Sequence, residues 1–175
     1  MRYLLLVLLG TFSLGAWAQS DAAYVTEMQK KWANAKTYTL ALAEAMPPEQ
    51  YGFRPVAGEM SFAEQMAHLS ANMVWLSSSY LSDEKPPQDL SGKEALHDAT
   101  KADIVKIVER SMDYAALALQ KFDPARLNEP VKFFAGPMTR RQIIALLNDH
   151  LTHHRAQAIV YLRLNGVIPP QYVGW

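Results

Sequence analysis

The chain has 175 residues, 17 basic side chains against 17 acidic ones, and no cysteine. A balance near zero gives no electrostatic footprint for nucleic acid, so none is expected as a partner. Without cysteine there is neither a disulfide framework nor a thiolate metal site, and His, Asp, Glu or water are the ligands any metal would have to use.

The chain opens with MRYLLLVLLGTFSLGAWAQS. Arg2 precedes an uncharged apolar run from Tyr3 to about Leu14, and Ala16-Trp17-Ala18 supplies a small-x-small cleavage signature. This is the layout of a secretory signal peptide, too short for a stable transmembrane span. No cysteine follows it to take a lipid. The expectation is a signal peptide over residues 1–18 and a single domain over residues 19–175, exported (to the periplasm in a Gram-negative cell) with no membrane anchor after processing. Loss of Arg2 leaves 16 basic against 17 acidic residues, and the remaining length suits one domain with a full core.

Asp21 to about Ala45 is the first predicted helix, with Val25, Met28, Trp32, Ala35, Thr39, Leu42 and Met46 recurring at steps of three and four. Pro47-Pro48 stop it, and a Pro- and Gly-rich loop follows. Ser61 with Glu64 forms a capping box for a second helix running to about Leu81. Its stripe is Phe62, Met66, Leu69, Met73, Leu76 and Tyr80; between residues 62 and 82 the only formal charge is Glu64. A helix this apolar all round is expected to be buried between neighbours. After a polar connector over residues 82–100, Thr100 and Asp103 start a third helix striped by Ile104, Val108, Met112, Ala115 and Leu119 and ended by Asp123-Pro124. Val131-Lys132-Phe133-Phe134 then reads as a short strand or hairpin. Thr139 with Gln142 caps a fourth helix, which Asn165-Gly166 stops near Leu164. The elements predict an all-α fold, a four-helix bundle with long crossover connections.

At about 100° per residue, Ile143, Leu147, His150, His154, Gln157 and Tyr161 lie within about 40° of one line, the core seam of the fourth helix. His150 and His154 thus stand where a bundle places Leu, one turn apart on one face, a spacing at which two imidazoles can hold one cation. His153 is turned about 80° from that line and is expected at the flank. Burying two imidazoles without partners would cost on the order of 1–3 kcal/mol each, which a metal relieves. His68, on the second helix, either faces these two or is a packed core residue. His97 falls in a polar connector and is expected to be solvated. Position 151 is Leu, so the glutamate of a H-E-x-x-H metalloprotease helix is missing. There is no G-x-S-x-G, phosphate-binding loop or dinucleotide fingerprint, and no acid pairs lie on one helix seam as they do in di-iron bundles. Trp75 and Met73 could line an apolar pocket or be core.

YGFRP at 51–55, SFAEQMAHLS at 61–70, DHLTHHRAQ at 149–157 and YLRLNGVIPPQYVGW at 161–175 resemble the DinB-like superfamily over essentially the whole mature chain. The resemblance implies a four-helix bundle with long crossovers, often a homodimer. It also implies a divalent metal, with Zn, Ni, Fe and Mn all open, held by His68, His150 and His154. Ala156 departs from the glycine usual in that block, on the side of the helix away from the histidines. The relatives' chemistry implies a small-molecule substrate and a metal-dependent transferase or hydrolase that moves thiols or splits a bond with water. The alternatives are a non-catalytic metal-binding or stress-response scaffold and a bundle acting only through dimer contacts.

Overall fold

The computed structural model describes residues 2–90 and 99–175, with side chains from Ser20 onward; the expectation for His97 lies outside the described residues. Four α-helices stand among the described residues: α1 (Arg2–Ala45), α2 (Phe62–Leu76), α3 (Lys101–Gln120) and α4 (Arg140–Leu164). α1 starts earlier than the predicted Asp21, because the helix continues unbroken through the apolar segment read as the leader. From Asp21 on, each seam position predicted for it is buried, from Val25 to Met46.

α1 and α2 are each flanked by α3 and α4. Consecutive helices α1 and α2 are therefore diagonal partners, which is why the connector over residues 46–61 is a crossover and not a tight turn. Apolar burial drives this arrangement. Phe62, Met66, Leu69 and Leu76 of α2, Ile104, Val108, Met112 and Leu119 of α3, and Ile143, Ile144 and Leu147 of α4 form one core with Trp32 and Leu42. The Trp32 indole Nε1–H donates to the Met112 carbonyl at 3.0 Å, so the largest buried ring brings no unpaired donor into the core.

The two expected capping boxes form, and Thr100 with Asp103 makes a third. Ser61, Thr100 and Thr139 each accept from the backbone N–H three residues on, and the Glu64, Asp103 and Gln142 side chains reach back to the cap N–H. Beyond Leu76 the second helix changes to a π-helical turn over Ser77–Leu81. The connector before α4 is an antiparallel hairpin, β1 (Pro130–Phe133) with β2 (Gly136–Thr139), pairing Phe133 with Gly136 across a two-residue turn. Gly136 has φ 120°, a value that favours glycine. After Gly166 (φ 72°), which ends α4, the tail returns along α1: Tyr172 packs edge-on against Tyr38, and the Lys31 ammonium lies 4.4 Å from the Trp175 ring centroid.

One expectation is corrected. α2 is not buried all round: Ala71 is exposed and Trp75 is 38% exposed. Their face is outward, and Trp75 leans on the hairpin instead, within an aromatic group formed by Tyr80, Phe133 and Phe134. Met73, the other residue considered for a pocket, is plain core at 1% exposure.

Candidate metal centre

α2 and α4 run antiparallel, since Gln65 meets Gln157 near one end of the pair and Tyr80 meets Arg140 near the other. This register sets His68 opposite the His150–His154 turn. His68 Nε2 and His150 Nε2 are 3.3 Å apart. The ring of His154 lies 4.5 Å, centroid to centroid, from each of the other two. One ligating nitrogen from each of the three imidazoles falls within 4.8 Å of the others. His154 forms the floor, 7% exposed, while His68 and His150 remain open to solvent on one side. His153 is exposed on the flank, as its helical angle predicts, and its Nε2 is 2.9 Å from the Gln157 amide nitrogen. Ala156 is exposed too, away from the cluster.

Burial sets the protonation state of this group. It pushes His154 and His150 down from the ordinary 6.5 to about 4, with the neighbouring imidazoles adding to the effect. Burial lowers His68 as well. Near neutral pH all three are uncharged, the form in which imidazole ligates a metal.

The nitrogens fit a divalent cation. Two nitrogens each about 2.0–2.1 Å from one ion at a tetrahedral angle stand roughly 3.3 Å apart, which is the His68–His150 spacing. An all-imidazole donor set suits zinc, nickel, iron and manganese alike.

Around the cluster lies a polar layer that the sequence reading only partly located. Gln157 and Tyr161 lie on the predicted seam beyond His154. They bind Gln65, a residue the sequence reading passed over. Gln65 is 1% exposed, and its Oε1 is 2.6 Å from His154 Nδ1. The signal for it was present: an amide one turn before His68, on a helix whose only formal charge is Glu64.

A family model described as the DinB superfamily matches residues 31–158. Among solved structures, the chain is similar to a DinB-like protein of Bacillus subtilis, at TM-score 0.70 and 18% identity over 85% of this chain and 99% of that one. It is also similar to a DinB-like protein of Bacillus cereus, at TM-score 0.67 and 18% identity over 83% and 95% of the two chains. At such identities these structures speak for the fold. Comparison with curated proteins gives no match.

Proposed function

The chain belongs to the DinB superfamily, and from that premise we propose that it is an exported metalloprotein in which His68, His150 and His154 hold one divalent cation and act on a small molecule. The observation that carries the reading is the meeting of three neutral imidazole nitrogens within 4.8 Å at an open face. A cation bound there would acidify a coordinated water or thiol and polarise a carbonyl, the chemistry of hydrolysis or thiol transfer. The chain's own part is positional. His154 anchors the site from the buried side, and the exposed edges of His68 and His150 leave an approach from solvent. That opening favours catalysis over a structural plug, because structural sites are closed by four protein ligands. As expected for the superfamily, we propose that the working unit is a homodimer, which sedimentation equilibrium will report.

The test is a panel of four variants. His68→Ala, His150→Ala and His154→Ala should each lose most of the metal found in the parent, while His153→Ala should keep it. Metal-to-protein ratios, with helicity checked, decide this; loss in His153→Ala and retention in His154→Ala would overturn the assignment. A Co²⁺-loaded parent whose visible spectrum shifts with azide or a small thiol supports the enzyme. A spectrum indifferent to both supports the non-catalytic scaffold.

A further inference from the structure

We infer that Gln65 is a positioning residue that fixes the tautomer of His154, leaving Nε2 of that ring as its one available metal donor. The inference rests on the metal reading of the site and adds to it which atom binds and what makes it so.

The argument starts from a backbone carbonyl. The Met60 oxygen can only accept a hydrogen bond, and the Tyr161 hydroxyl stands 3.0 Å from it. Tyr161 has a single O–H proton, and this contact uses it. Towards Gln65, 3.3 Å away, the phenol oxygen can then only accept, so the Gln65 atom facing it must be the amide nitrogen. The amide orientation is thus settled by chemistry that has no ambiguous end. The second proton of that nitrogen goes to Gln157 Oε1. Gln65 Oε1 is left pointing at His154 Nδ1, at 2.6 Å. An amide oxygen accepts, so Nδ1 must carry the hydrogen. A neutral imidazole has one N–H, and the lone pair therefore sits on Nε2.

The same chain accounts for the histidine that is left out. With its oxygen taken by Gln65, Gln157 offers a donor to His153 Nε2, whose lone pair is used up in accepting it. Adjacent histidines on one helix are thereby given opposite tasks by two glutamines. Every proton named is consistent from Met60 to His153. Turning the Gln65 amide over would set two acceptor oxygens against each other at Gln157 and two donors against each other at the Nδ1–H of His154. Outer partners of this type orient metal-bound histidines and are worth about 10–100-fold in metal affinity.

The tautomer can be read by ¹⁵N NMR of the metal-free protein at pH 7.5, where no metal contributes. The parent should show His154 as the Nδ1–H form. In Gln65→Leu it should become a mixture, and zinc affinity from competition with a chromophoric chelator should fall about 10–100-fold. Gln65→Glu, which keeps an acceptor at Nδ1, should hold both properties near the parent's. Tyr161→Phe removes the directing hydroxyl and should loosen the tautomer with a smaller loss of affinity. A parent in the Nε2–H form, or a Gln65→Leu protein with parental tautomer and affinity, would overturn the inference. If instead the parent shows the Nδ1–H form but takes up no metal, the metal reading fails and the positioning chain stands.

Discussion

The lowered proton affinity of the three imidazoles has a consequence with or without a metal. His150 and His154 titrate near 6.5 in the unfolded chain and at about 4 in the fold. Between those values the unfolded state binds more protons, so stability rises with pH there. The contribution is complete above about 6.5 and is lost as pH falls from 6.5 towards 4. Glu64, held low by Arg54 and then Ser61, acts only below its ordinary 4.5, so above that pH the histidines act without it. The melting temperature of metal-free protein should therefore drop between pH 7 and 4.5, and His150→Ala should flatten that drop. A parent and variant that fall in parallel would count against it. In the folded protein, protons compete with a metal near pH 4 and not near 6.5, so bound metal should survive to about pH 5. The pairing of His150 with His154 was legible because helical spacing projects directly onto a face. The role of Gln65 was not. It depends on the register of the opposing helix and on which end of an amide faces which ring, and neither is written in one helix's own spacing.

Each helix seam was readable at the scale of elements because burial follows a 3.6-residue period, and positions such as Val25, Met66, Val108 and Leu147 are all buried. The outward face of α2 was not readable. Ala71 and Trp75 are as apolar as core residues, and only the hairpin's position explains why an exposed Trp stands there. The caps were legible as residue pairs, and they act locally. Thr139 accepts from the Gln142 N–H, and the Gln142 side chain accepts from the Thr139 N–H at 2.8 Å. His150 lies about three turns further along α4. Thr139→Ala should cost about 0.5–2 kcal/mol, read as a lowered denaturant midpoint with an unchanged slope. Metal stoichiometry in the same variant should match the parent's. A loss of metal without a loss of stability would mean that the start of α4 controls the site, contrary to the local nature of capping.

For the molecule as a whole, the open question is where the working chain begins. Arg2, the apolar run and Ala16-Trp17-Ala18 have the order of a cleaved leader. Among the described residues, α1 engages its neighbours from Asp21 onward: Asp21 pairs with Arg141, the Tyr24 hydroxyl donates to the Arg141 carbonyl at 3.4 Å, and Val25 is 2% exposed. A chain starting at Gln19 keeps all of these contacts. Among the described residues from Ser20 onward, no helix is long and apolar enough to cross a membrane, and the charge balance expected after processing offers no polybasic attachment to one. Protein recovered from its native compartment should therefore have an intact mass that lacks residues 1–18. Recombinant protein begun at Gln19 should match it in melting temperature and in zinc affinity. A native mass that retains Met1 through Ala18 in a membrane fraction would refute cleavage. A Gln19 form that matches in mass but melts lower and binds zinc less tightly would show that the bundle needs something upstream of Asp21.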